Sequence, residues 1–186
     1  KIFLDFRRDT MKEIRFHGRG GQGVVKAAQI LVRTAVEGNR YAHFIPFFGV
    51  ERMGSPVYGF ARIDDKPIRI KSQVYDPHCI IVFDDTLFDT VPVFSGLRDD
   101  GIVVLNSKLD KEQIDIPDTV KTLAIVDATQ IALDTINRDI PNTAMLGAFA
   151  KATGYVDFDI LCDKISDTFG KVNADSAAKA YDSVKI

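Results

Sequence analysis

Apolar and polar positions along this chain repeat with two different periods. Ile14 and Phe16 alternate with Glu13, Arg15 and His17, the two-residue period of a strand whose faces meet different surroundings. Val24, Ala28, Leu31 and Ala35, with Val25 and Val32 beside them, then recur at helical spacing until Gly38-Asn39 stops the run. Residues 41–48 are strand-forming up to Pro46, and a polar loop, 49–56, follows. Residues 57–63 and 68–70 flank the turn Asp64-Asp65-Lys66-Pro67 and predict a hairpin added to a parallel core. The runs 79–83, 102–105 and 123–126 are almost continuously apolar, as suits strands covered on both faces, and a short helix around Leu87-Phe88 joins the first two.

The last third of the chain is helical in pattern. Ile131, Leu133 and Ile136, then residues 144–150, then Ile160, Leu161, Ile165 and Phe169 form successive helical stretches, punctuated by Pro141-Asn142, Gly154-Tyr155 and Gly170. Asn142-Thr143, Asp157 and Asn173 read as caps. Gly147 inside a helix costs about 1 kcal/mol relative to alanine, which a close approach by a neighbour or ligand would explain. The order of elements predicts an α/β fold: a Rossmann-like, mostly parallel sheet with an added hairpin and a helical C-terminal third. No repeat, linker or low-complexity segment interrupts it, so residues 11–186 read as a single domain, with residues 1–10, ahead of Met11, set aside as an upstream extension.

Composition narrows the function classes. With 46% hydrophobic and 27% charged residues in 186, the chain has enough apolar area for an ordinary globular core. No apolar run approaches the roughly 20 residues of a membrane span and nothing resembles a secretory signal, so the expected location is cytoplasmic with no membrane partner. Cys79 and Cys162 form no C-x-x-C, so neither an iron–sulfur cluster nor a zinc site can be built from this chain's thiolates, and no metal site is assigned. Both read as small core residues. His17, His43 and His78 lack metal-ligand spacing and read as hydrogen-bonded structural histidines, although His17 and His43 flank segments where a site could lie.

The most informative stretch is Gly18-Arg19-Gly20-Gly21-Gln22-Gly23, lying between the first strand and the first helix. Glycine permits positive φ and close approach by another molecule, and the unpaired N–H groups opening a helix favour a phosphate or carboxylate. Gly18, Gly20 and Gly23 fit the G-x-G-x-x-G spacing of dinucleotide sites. The acidic residue that holds the ribose hydroxyls in such sites, about twenty positions on, is missing: that neighbourhood reads Gly38-Asn39-Arg40-Tyr41-Ala42-His43. This argues against an ordinary NAD site and leaves two readings, a turn that approaches some other phosphate and a tight turn with no ligand.

Charge favours the first reading. From Met11 to Lys71 there are eleven Lys and Arg against five Asp and Glu, and from Ser72 onward ten against nineteen, so the glycine-turn half would steer an anion. The basic residues form no arm or reading motif for nucleic acid, which is not an expected partner. In the loop, Glu51 and Arg52 either pair with each other or leave Arg52 to face a phosphate or a neighbouring subunit. Phe44, Phe47, Phe48, Tyr58 and Phe60 read as core or subunit interface.

Three motifs in order carry a resemblance: Gly18-Arg19-Gly20-Gly21-Gln22-Gly23, then Phe47-Phe48-Gly49-Val50-Glu51-Arg52-Met53-Gly54-Ser55-Pro56-Val57, then Asn142-Thr143-Ala144-Met145-Leu146-Gly147-Ala148. Together they resemble the gamma subunit, or the equivalent domain, of pyruvate:ferredoxin oxidoreductase and related 2-oxoacid:acceptor oxidoreductases. The resemblance implies a multisubunit enzyme that decarboxylates a 2-oxoacid, forms an acyl-CoA and passes electrons to ferredoxin. It further implies thiamine diphosphate, magnesium and iron–sulfur clusters on alpha-, beta- and delta-type partner subunits, with the gamma subunit associated with coenzyme A and assembly and catalytically inactive alone. Coenzyme A carries a pyrophosphate and a ribose phosphate, so it needs N–H donors and cations more than a ribose-binding acid. On that basis Gly18, Arg19, Gly20, Gly21, Gln22, Gly23, Arg52, Ser55, Asn142 and Thr143 are the expected coenzyme-binding positions, and none is expected to be catalytic. A freestanding nucleotide-dependent oxidoreductase and a purely structural subunit are the alternatives.

Overall fold

A computed structural model describes residues 10–47 and 53–186 of the chain. The elements in chain order are β1 (Lys12–Arg19), α1 (Val24–Glu37), β2 (Tyr41–Phe47), β3 (Pro56–Asp64), β4 (Cys79–Val82), β5 (Ile102–Asn106), β6 (Thr122–Val126), α2 (Ala128–Ile136), α3 (Asn142–Thr153), α4 (Phe158–Phe169) and α5 (Lys171–Ser183), with short 3-10 turns at Asp85–Asp89 and Lys111–Gln113. The strands form one sheet in the order β2-β3-β1-β4-β5-β6. The β1–β4, β4–β5 and β5–β6 pairs are parallel, whereas β3 runs antiparallel to both β1 and β2.

The continuous apolar strands are explained by two cores. Cys79, Ile81, Val104, Ala124 and Val126 face the side that all five helices cover, joining Ala27 and Leu31 of α1, Leu146 of α3, Leu161 of α4 and Ala177 of α5. Ile80, Val82, Val103, Leu105, Leu123 and Ile125 face the opposite side, where Phe88, Val91, Phe94, Leu97, Ile114 and Ile116 from the connecting segments pack on them. Side chains alternate across a strand, so burial on both faces requires apolar residues at every position.

The expected hairpin exists with a different arm. Residues 68–70 form no strand; β3 pairs instead with β2, in the register Tyr41↔Asp64 to Phe47↔Tyr58. β2 continues through Pro46 rather than stopping there, because an edge strand does not need every backbone donor paired.

Two expected caps move. Asp157 does cap α4, accepting from the Ile160 N–H at 3.0 Å. Asn142, however, is the first residue of α3 with Pro141 as its cap, and Asn173 sits inside α5, where its Nδ2 donates to the Phe169 carbonyl at 3.0 Å. Proline near a helix start removes a donor that would be unpaired there, which freed Asn142 for a tertiary contact. α3 is buried from Asn142 through Ala150, wedged between the sheet and α5. A Cβ on Gly147 would stand 1.9 Å from the Ala177 carbonyl oxygen of α5, so the close approach expected at this glycine comes from a helix backbone.

Candidate functional site

β1 carries the chain to the glycine turn, and the glycines there serve separate purposes. A Cβ at Gly18 would lie 2.4 Å from Val24 Cγ2, so its bareness allows α1 to fold back against β1. Gly21 and Gly23 have φ of 101° and 76°, the left-handed region that side chains disfavour. Gly23 is the N-cap of α1 and supplies no side-chain hydrogen bond, and the first turn contains no acidic residue. The positive end of the helix dipole is therefore uncompensated by its own sequence.

Two predicted donors are already committed. Arg19 donates from Nε to Asp84 at 3.1 Å, from Nη1 to the Gly54 carbonyl at 3.2 Å and from Nη2 to Thr86 Oγ1 at 2.8 Å. Gln22 accepts the Arg19 N–H at 2.7 Å and donates to Asp84 at 3.0 Å. Burial alone would raise the Asp84 pKa, but the hydrogen bonds from Thr86 and Gln22 and the charge of Arg19 hold it below the ordinary carboxylate range. Asp84 thus acts as an internal anion that braces the turn. Nothing in the glycine motif pointed to it, but it directly follows the apolar run 79–83 and so ends the strand beside β1.

Ser55 contributes its backbone, its carbonyl accepting the Gly20 N–H at 2.9 Å while Gly54 N–H donates to the Gly20 carbonyl at 3.1 Å. Arg52, with Glu51, lies outside the described residues. Asn142 comes to the turn from far along the chain: a Cβ on Gly23 would be 2.6 Å from its Nδ2. Asn142 is 4% exposed, and its Oδ1 accepts the Thr143 N–H at 2.8 Å. Thr143 is fully buried, with no hydrogen-bond partner for its Oγ1 among the described residues. The turn, Ser55 and the start of α3 are thereby brought to one end of β1.

Two crevices flank this point. One, of about 340 Å³ at the carboxyl ends of β4, β5 and β6, is lined by Asp84, Asp85, Asp127 and Asp139 against Lys108, a balance that repels a polyanion. The other, of about 350 Å³, is lined by Arg138, Asn142 and Asn173 among Ile136, Ile140 and Phe169. Arg138 was not expected at the site, and its position is visible only once α2 and α3 are packed.

Of the remaining titratable candidates, His43 does not make the hydrogen bond expected of it at Nε2, which is buried without a partner among the described residues, and the others are structural in setting. Cys79 is fully buried, which pushes its thiol pKa up, and burial also raises that of Cys162. His17 is pushed down to about 3 by burial and by the charge of Arg15, so it is neutral at ordinary pH. Among the described residues, no group of three or more His, Cys, Asp and Glu is arranged to hold a metal ion, and no helix is long and apolar enough to cross a membrane.

A glycine turn feeding a helix with no side-chain cap, on a sheet with three parallel strand pairs and an antiparallel edge hairpin, describes an α/β domain of Rossmann-like type. The chain belongs to the pyruvate ferredoxin/flavodoxin oxidoreductase family, whose model matches residues 13–184. Within that family it is a gamma-type subunit of a pyruvate/2-oxoacid ferredoxin oxidoreductase, an enzyme of the pyruvate synthase class. It is 50% identical over 182 residues to the pyruvate/ketoisovalerate oxidoreductases common subunit gamma of Pyrococcus furiosus, covering 95% of this chain and 98% of that one. It is 51% identical over 179 residues to pyruvate synthase subunit PorC of Methanothermobacter thermautotrophicus, covering 94% and 97%. The crystal structure of the pyruvate oxidoreductase subunit PORC from Thermotoga maritima superposes with a TM-score of 0.83 at 35% identity, over 95% of this chain and 98% of that one. The 2-oxoglutarate:ferredoxin oxidoreductase of Magnetococcus marinus, solved with 2-oxoglutarate, coenzyme A and succinyl-CoA bound, shares the fold with a TM-score of 0.69 at 16% identity, over 93% of this chain and 30% of that one.

Proposed function

We propose that this chain contributes a phosphate-binding end to the coenzyme A site of its oxidoreductase and joins the assembly that completes the enzyme. The complex decarboxylates a 2-oxoacid, pyruvate foremost, to acyl-CoA and CO2 in the cytoplasm and passes the electrons to ferredoxin. Alpha-, beta- and delta-type subunits carry thiamine diphosphate, magnesium and the iron–sulfur clusters. Coenzyme A supplies the thiol that accepts the acyl group.

The observation that carries this reading is the uncapped N-terminus of α1 with the Asn142 amide donor packed against its Gly23 cap. Backbone N–H groups, the helix dipole and a side-chain amide together suit an anionic oxygen. Gly21, left-handed and without a Cβ, meets only the flexible Met53 side chain, so a phosphate that displaces that side chain can approach its backbone. The cationic partner is better assigned to Arg138, which shares a crevice with Asn142, than to Arg19, whose guanidinium nitrogens are engaged by Asp84, Gly54 and Thr86. Coenzyme A in a solved oxidoreductase of the same fold directs the choice of ligand.

Asn142→Asp tests this directly. It keeps the Oδ1 acceptor for Thr143 N–H but replaces the amide donor by a negative charge beside the helix start. In the assembled enzyme the KM for coenzyme A should rise at least about tenfold, the loss of a charge-assisted hydrogen bond being worth roughly 1.5–3 kcal/mol. Sizing of the complex should be unaltered. An unchanged KM would overturn the assignment and leave an assembly subunit whose turn holds no ligand.

A further inference from the structure

The face of the sheet away from the helices is covered unevenly. Connecting segments seal it over β4, β5 and β6; over β2, β3 and β1 the described residues place no helix, all five lying on the other side, and residues 72–75 and 93–95 cover Arg62 and Arg15 but leave Tyr41 and Phe47 of the edge strand exposed. Ala42 and Phe44 pack toward the helices, so period-two alternation puts Tyr41, His43, Ile45 and Phe47 on the open face. Phe47 stacks on Tyr58 at 4.7 Å and Tyr58 on His17 at 6.4 Å. Phe47 is nevertheless 40% exposed, and Tyr75, which lines a pocket together with Tyr58, 69%.

A pocket of about 320 Å³ opens in this face, walled by Tyr58, Phe60, Tyr75 and Leu87 with Arg15 and His17. Arg15 is 8% exposed. Its Nη2 donates to the carbonyls of Val93 at 2.7 Å and Ser95 at 2.6 Å, and its Nε to His17 Nε2 at 3.0 Å. Among the described residues its Nη1 has no hydrogen-bond partner, and no carboxylate lies within ion-pair distance of its guanidinium. Glu13, two residues away on the same face, is taken by Arg62 at 2.8 Å. His17 accepts at Nε2, so its ring proton is on Nδ1 and it supplies no negative charge. A buried cation without a counter-ion is costly, and the cost falls when an anion arrives.

Building on the subunit reading above, we propose that this open face docks a partner subunit, which inserts an acidic side chain beside Arg15 and lays apolar or aromatic neighbours against Phe47, Tyr58 and Tyr75. Two observations favour a protein over a small carboxylate. The exposed aromatic surface extends along β2 beyond the pocket mouth, and the pocket is at the small end of the roughly 300–1,000 Å³ typical of ligand sites. Curated relatives spanned almost end to end by this chain are named as subunits.

The test compares the chain alone with the assembled complex by hydrogen exchange, and adds two variants at the exposed Tyr75. The backbone amides of residues 73–75, and those of the edge strand β2 that no neighbouring strand pairs, should become protected on assembly. Tyr75→Glu should weaken assembly at least about tenfold by setting like charge against the acidic insert, and Tyr75→Lys, equally disruptive to the aromatic contact but attractive to an acid, should weaken it clearly less. Equal losses with the two variants would overturn the acidic insert. Amides that exchange equally fast alone and in the complex would overturn the docking face while the subunit reading stands, and their protection in the isolated chain by millimolar phenylacetate would transfer the pocket to a small carboxylate. Failure of the unaltered chain to enter any complex would overturn the subunit reading and this proposal with it.

Discussion

Replacing Gly147 by alanine sets two effects of opposite sign against each other. In an isolated helix alanine is better than glycine by about 1 kcal/mol, so local propensity predicts a more stable protein. In this fold the new Cβ would stand 1.9 Å from the Ala177 carbonyl oxygen, 2.7 Å from its carbonyl carbon and 2.9 Å from its Cα. Ordinary van der Waals contact begins near 3.4 Å, so α3 and α5 would have to separate by about 1.5 Å at their crossing. The obstacle is helix backbone, which cannot swing aside as a side chain can. Overpacking a core costs about 1–3 kcal/mol and occasionally more. The opening also loosens Ala144, Met145, Leu146 and Ala148, which are at most 1% exposed. The upper part of that range is expected, and subtracting the gain in propensity leaves a net loss of about 2 kcal/mol. For a domain of this size that corresponds to a fall in Tm of roughly 4–8 °C. Urea unfolding followed by circular dichroism reads it as a lower midpoint at unchanged slope. A midpoint equal to or above that of the unaltered chain would show that the two helices can part freely and would refute the reasoning.

Two further predictions concern the glycine turn and the half-buried His17. Asp84→Asn should cost about 1–3 kcal/mol, because the amide turns a donor toward Arg19, Gln22 or Thr86 where each now finds an acceptor; accelerated amide exchange at residues 20–24 is the accompanying sign, and an unchanged urea midpoint would count against the brace. His17 is held neutral in the fold down to about 3 against an ordinary 6.5, so once the pH falls below about 6.5 the unfolded chain takes up a proton that the folded chain refuses. Its contribution to stability is complete above 6.5 and is lost progressively toward 3, at up to about 1.4 kcal/mol per pH unit. Urea midpoints at pH 7.5, 6 and 5 should show this slope, which His17→Gln should flatten; identical slopes in the two proteins would remove His17 as its source.

Much of this architecture could be read from local pattern. β1, α1 and the three buried parallel strands stand where period two, period 3.6 and continuous apolar runs put them, because each pattern reports one element's contact with a core. The hairpin arm at 68–70 failed for a physical reason. A turn and two apolar-alternating arms define which segments could pair, but β3 has two edges, and these were taken by β1 and β2. At the site, the bareness of the glycines was legible and their reasons were not: Gly18 makes room for Val24 and Gly23 for Asn142, while Gly21 meets only the Met53 side chain.

What the sequence by itself determined is therefore the set of elements, their layer type, the glycine turn ahead of α1 and, through three motifs in order, the family. Those are properties of short segments, set by backbone freedom and by the spacing of apolar side chains. The tertiary structure decided that Arg19 answers Asp84 rather than standing free, that Asn142 reaches Gly23 across more than a hundred residues, and that Arg15 is buried without an acid. Each of these depends on which strand lies next to which and which helix leans on which. Charge and hydrogen-bond partners are settled by distances in space, and distances between remote segments exist only after the core has been packed.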